Sequence, residues 1–112
     1  MKYMLLVYDN PANWPDITDE EMKGLYAEYA AVSNDPATVH SAQLSPIDTA
    51  KTVRVKNGET LTTDGPFAET KEHLGGYYLV EADSIDDAVK LGAKIPSARL
   101  GGSIEVRPII EM

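Results

Sequence analysis

From residue 64 to residue 82 the chain reads DGPFAETKEHLGGYYLVEA, and most of its ionisable side chains suited to chemistry gather there. Asp64 comes first. A carboxylate at a turn can serve as a general base once burial and neighbours tune it. It can equally cap the turn that Gly65 and Pro66 make. Asp bonds its own backbone, Gly permits positive φ, and Pro holds φ at about −65°. Both readings stay open. Glu69, Lys71, Glu72 and His73 follow closely and would converge on a substrate if this linker folds over a pocket. On a linker at the surface they would face water instead. Glu69 and His73 share a face only if the backbone there is helical. Phe67 is expected to anchor the turn into the core.

Two further residues could complete a site with Asp64. His40 could meet it in space as an acid/base pair, or be a partly exposed structural histidine. Arg107 could clamp an anionic substrate bidentately, or pair with an acid at a subunit interface. Asp64, His40 and Glu72 are thus the candidate catalytic groups, with Arg107, Tyr77 and Lys71 as candidate substrate contacts. Tyr77 and Tyr78 must point to opposite faces of any strand they share. One would pack under helices and the other face a cleft or a partner. No metal site is expected, since the two histidines are not arranged as HxxxH or HxH and there is no cysteine. P-loop, Rossmann and GxSxG patterns are missing as well, so no cofactor is expected.

Composition narrows the classes. The 112 residues carry 18 acidic and 10 basic side chains, a formal net charge of −8. A phosphate backbone would be repelled by that balance, and no Lys/Arg cluster opposes it, so nucleic acid is not an expected partner. The absence of cysteine excludes disulfides and thiolate chemistry. Met1 to Tyr8 is a short apolar run that meets Asp9-Asn10-Pro11 without a cleavage site. It reads neither as a signal peptide nor as a membrane span, and a cytoplasmic location without membrane attachment is the expectation.

The elements that must position these residues are legible in outline. Residues 2–8, KYMLLVY, form an apolar run of strand length, suited to burial on both faces. Thr18 and Glu21 make a capping box, and Met22, Leu25, Tyr26 and Tyr29 recur at helical spacing. A weak strand over 38–44 follows. Residues 52–56 and 59–63 alternate around Asn57-Gly58, the strongest short hairpin signal. Residues 76–82 make the next strand. Ser84 caps a second helix, with Ile85, Ala88, Val89 and Gly92 as its apolar face and Ile95 ending it before Pro96. Residues 103–107 alternate as a last strand closed by Pro108. With the hairpin set aside the order is βαββαβ, a ferredoxin-like α+β arrangement with both helices on one face of an antiparallel sheet. One domain spans residues 1–112. The apolar character of residues 4–7 and 77–80 implies that the other sheet face is covered too, most simply by a second copy of the chain.

The chain resembles the YCII-related family, in its DGPF-domain branch, over nearly its whole length. The resemblance rests on the opening MKYMLLVY, the core TVRVKNGETLTTDGPFAETKEHLGGYYLVEA, the helix ADSIDDAVKLGAKIP and the closing IEVRP. It implies a ferredoxin-like domain forming a homodimer, a dimeric α+β barrel. One relative in that superfamily is a dehydrochlorinase of a chlorinated hydroxyquinol, and some DGPF domains accompany sigma factors of the extracytoplasmic-function type. The superfamily is associated with a His/Asp pair whose histidine lies on the first helix. Residues 19–33 hold no histidine here, so that role does not transfer, whereas Asp64 matches the DGPF motif.

Two functions follow as expectations. One is cofactor-independent acid/base chemistry, such as elimination or isomerisation, on a small polar or aromatic molecule in a cleft at the DGPF turn. The other is a non-catalytic ligand-sensing or protein-interaction module, for example an accessory to transcriptional regulation.

Overall fold

The computed structural model describes residues 1–10, 12, 14, 16–67 and 71–111. Its strands are β1 (Lys2–Asp9), β2 (Thr38–Gln43), β3 (Lys51–Lys56), β4 (Glu59–Asp64), β5 (His73–Glu81) and β6 (Ser103–Pro108). Helix α1 (Asp19–Ser33) follows β1, and α2 (Ile85–Gly92) follows β5. Four strands form one sheet in the order β2-β5-β1-β6, while β3 and β4 form a separate two-stranded ribbon. Every pairing is antiparallel. Since β2 pairs with β5 rather than β1, each helix crosses from an inner strand to an outer one. This is a ferredoxin-like α+β arrangement with the ribbon inserted between β2 and β5.

Alternation in the strands decides where the core lies. Tyr3, Leu5 and Val7 of β1 and Tyr78 and Val80 of β5 are buried on one face. They meet Val32 of α1, Ala88 and Leu91 of α2, and Ile95. Met4, Leu6, Tyr77 and Leu79 alternate onto the opposite face and are half-buried. Both helices therefore cover the same side of the sheet.

Local chemistry sets the helix starts. Thr18 Oγ1 accepts the Glu21 amide at 3.2 Å and donates to Glu21 Oε1 at 3.1 Å, so the capping-box pair closes through its two side chains. Ser84 Oγ accepts the Asp87 amide at 3.2 Å at the start of α2. The buried stripe of α2 is Ala88, Leu91 and Gly92, whereas Ile85 and Val89 are exposed. This corrects the expected face: the buried one is turned toward Leu91 and away from Ile85 and Val89.

The ribbon turn has Asn57 at φ 52° and Gly58 at φ 79°, the two positive values a two-residue hairpin needs to match strand twist. The ribbon projects. Val53 and Val55 are exposed, and so is Phe67 at 79%, which corrects the expectation that Phe67 anchors the turn into the core. The described chain measures 46 × 42 × 18 Å with a radius of gyration of 16.0 Å. A compact chain of this length would have about 13 Å.

Candidate functional site

A cavity of the described structure lies between α1 and the helix-side face of the sheet, not at the DGPF turn. It holds about 470 Å³. One face of α1 supplies Met22, Tyr26, Tyr29, Ala30 and Ser33, recurring at helical spacing. Val7 and Asp9 come from the end of β1, Ser41 to Gln43 from β2, and Gly75 to Tyr78 from β5, with Trp14 from the loop after β1.

The glycine pair makes this space. Val7 pairs with Gly76 and Tyr8 with Leu74, so Gly75 is the extra residue of a β-bulge. Gly76 is buried on the same face as Tyr78 and Val80, and having no side chain there leaves room beneath α1. A Cβ on Gly76 would stand 2.8 Å from the Ala42 carbonyl oxygen. The pair therefore belongs inside β5, which begins at His73, three residues before the expected start.

Asp9 is the group with chemical potential. It ends β1 on the side of Tyr3, Leu5 and Val7, and its Oδ1 is buried without a hydrogen-bond partner among the described residues. Its carboxylate fits between two glycines. A Cβ on Gly75 would stand 3.2 Å from Oδ2, and one on Gly102 would stand 3.2 Å from Oδ1. Across the β1–β5 ladder, Asp9 is paired with His73.

A hydroxyl network adjoins it. The hydroxyls of Tyr29 and Ser97 lie 2.7 Å apart, and Ser97 is fully buried in the turn following α2. Burial pushes the Tyr29 phenol above its ordinary value, against the hydrogen bond to Ser97, and the Asp9 charge adds to the rise. Burial likewise raises Tyr78, whose hydrogen bond with Ser33 works the other way. Tyr78 also donates to the Tyr29 carbonyl at 3.4 Å, and Ser41 Oγ donates to Ser33 Oγ at 2.9 Å. Both phenols thus stay protonated at neutral pH, able to donate.

The residues singled out in the sequence are dispersed. Asp64 ends the ribbon, where its 87% exposed carboxylate receives Lys51 Nζ at 2.6 Å. Lys51 and Asp64 are the last cross-strand pair of the ribbon, so the DGPF aspartate closes the ribbon base. His40 lies on β2 against the Tyr77 ring, with centroids 5.7 Å apart and planes at 47°. His40 and Asp64 are on different sheets and do not form the expected pair, because the ribbon carries Asp64 away from β2. Glu72 accepts from Ser103 Oγ at 3.0 Å. Arg107 lies 3.7 Å from Glu105 on the exposed end of β6, and Lys71 is exposed. Neither Asp64, His40, Glu72, Arg107 nor Lys71 lines the cavity; Tyr77 borders it in β5, but its ring alternates onto the opposite sheet face beside His40. Glu69 lies outside the described residues. Among the described residues, no three His, Asp or Glu side chains gather as a metal set.

Asp9, Tyr29, Ser97 and Trp14 did not stand out in the sequence. Asp9 looks like the start of a loop, and Tyr29 like one more member of an apolar stripe. The available signal was an acidic residue closing an apolar strand.

These features define a class: a ferredoxin-like α+β chain with a polar-floored pocket between its first helix and its sheet. The chain belongs to the YCII-related domain family, whose model matches residues 1–112. It is similar to an uncharacterized protein of Rhizobium meliloti (strain 1021), at 35% identity over 97% of this chain and 92% of that relative.

Proposed function

We propose that this chain holds a small organic molecule in the cavity beneath α1 and accepts a proton from it at Asp9. The supporting observation is the buried, unpartnered Oδ1 of Asp9 at the cavity wall. An acceptor withdrawn from water without a donor costs free energy, which a ligand donor would recover. The Tyr29 phenol, kept protonated by burial, is the complementary donor. A carboxylate acceptor beside a neutral phenol serves proton transfer, elimination or isomerisation. The test is to incubate the protein in heavy water with a panel of small ketones, phenols and amines and follow deuterium entry at carbon by NMR. Wild type should promote exchange in at least one compound, and Asp9→Asn should abolish it. A compound that binds but exchanges equally slowly with both proteins would favour a non-catalytic ligand sensor.

We also propose that two copies associate through the open sheet face. Met4, Leu6, Tyr77 and Leu79 form its half-buried apolar centre, and His40, Glu105 and Arg107 lie around it. An apolar centre with a polar rim is the anatomy of an interface. Glu105 and Arg107 supply both signs of charge, so the face can complement itself across a twofold axis.

A further inference from the structure

The cavity contains a carboxylate, yet no Lys, Arg or His is found among its described lining residues. Buried ionised groups are ordinarily matched by an opposite charge or by hydrogen bonds. Among the described residues, Asp9 Oδ1 has neither a hydrogen-bond partner nor a cation in the cavity wall. The nearest imidazole by position is His73, which stands across from Asp9 in the β1–β5 register and lies outside the lining.

Aromatic side chains make up part of the remaining wall. Trp14, Tyr26 and Tyr29 face the space from the loop after β1 and from α1. Aromatic faces carry negative quadrupole charge and attract organic cations, Trp most strongly. An anion would meet Asp9 with no cation to offset it. A neutral hydroxyl could bond Asp9, but an ammonium adds the attraction of opposite charges in a site withdrawn from water. The net charge of −8 would also raise the local concentration of a cation.

Resting on the reading of the cavity as a small-molecule site, we propose that its ligand is a small arylalkylamine, with the ammonium on Asp9 and the ring against Trp14 and Tyr26. The requirement is for positive charge, reversing the anion clamp that Arg107 had suggested.

Three probes of one shape and different charge test this: phenethylamine, phenethyl alcohol and phenylacetate, titrated calorimetrically into the full chain. Phenethylamine should bind about tenfold tighter than the alcohol, and phenylacetate weakest. Asp9→Asn should bring amine and alcohol to equal affinity. Tyr26 is 62% exposed, so Tyr26→Ala leaves the fold intact and should weaken the amine severalfold. It carries the test if Asp9→Asn does not fold. Equal binding of amine and alcohol by wild type, or tightest binding of phenylacetate, overturns the amine assignment and leaves the cavity reading standing. An amine preference that survives Asp9→Asn overturns it also. Failure of all three to bind removes the cavity reading along with it.

Discussion

At the scale of single residues, the contact between Tyr29 and Ser97 ties α1 to the turn after α2. Removing the phenol oxygen would leave the fully buried Ser97 hydroxyl without that partner. Tyr29→Phe should therefore lower unfolding free energy by about 1 kcal/mol, read from urea melts. The two buried phenols also set a pH limit. Tyr29 and Tyr78 both titrate above the ordinary 10.0 in the folded chain, so in that window the native state binds more protons than the unfolded one. Stability from these groups is fully present below pH 10.0 and is lost as pH rises through the folded-state values. Melting temperatures across alkaline pH should fall for wild type and fall less steeply for the Tyr29→Phe, Tyr78→Phe double variant. Identical slopes would show that these phenols contribute nothing.

At the scale of elements, backbone proximity rather than side-chain packing constrains the site. A Cβ on Gly102 would stand 2.3 Å from the Tyr8 carbonyl oxygen and 2.9 Å from that of Ser97. Neither is the yielding end of a side chain. Gly102→Ala should force β1 and the turn after α2 apart, costing about 2 kcal/mol or more, and should disturb the Asp9 carboxylate with them. Thermal melting together with the phenethylamine titration would show both effects. The ribbon should respond differently. Gly58 has φ +79° with open space around it, so Gly58→Ala introduces backbone strain of about 1–2 kcal/mol without a clash. Because the ribbon is a separate sheet, that strain should remain local. Hydrogen exchange should quicken at β3 and β4 amides while β1 and β5 keep their protection. Uniform acceleration over the whole chain would instead mean that the ribbon folds as one unit with the main sheet.

At the scale of the whole molecule, the chain offers two unlike faces. On the helix side Leu5 is fully buried, and Leu5→Ala should cost about 3 kcal/mol. The opposite face has its apolar centre only half-buried. Light scattering on wild type should give twice the 12.2 kDa chain mass if that face joins two copies. Leu79→Glu, which places a carboxylate at the apolar centre, should give the single-chain mass with unchanged circular dichroism. A wild-type mass of one chain would leave the open face without its proposed occupant.

Local sequence determined what depends on near neighbours. Alternation placed β3, β4 and β6, the Asn57-Gly58 pair set the ribbon turn, and Thr18 and Ser84 started the helices. These features arise from backbone preferences and hydrogen bonds a few residues apart, and with the element order they carried the α+β class. The position of the site depended on something else. The DGPF stretch draws attention because its charges are close in sequence, yet the projecting ribbon leaves Asp64 in solvent beside Lys51. Asp9, Tyr29 and Ser97 are unremarkable along the chain and come together only when β1, α1 and the turn after α2 pack around one space. A carboxylate becomes chemically useful through the burial and the absent partner that its surroundings impose. For Asp9 those surroundings are supplied by Gly75, Tyr29, Ser97 and Gly102, residues far from it in sequence, and tertiary packing alone brings them within reach.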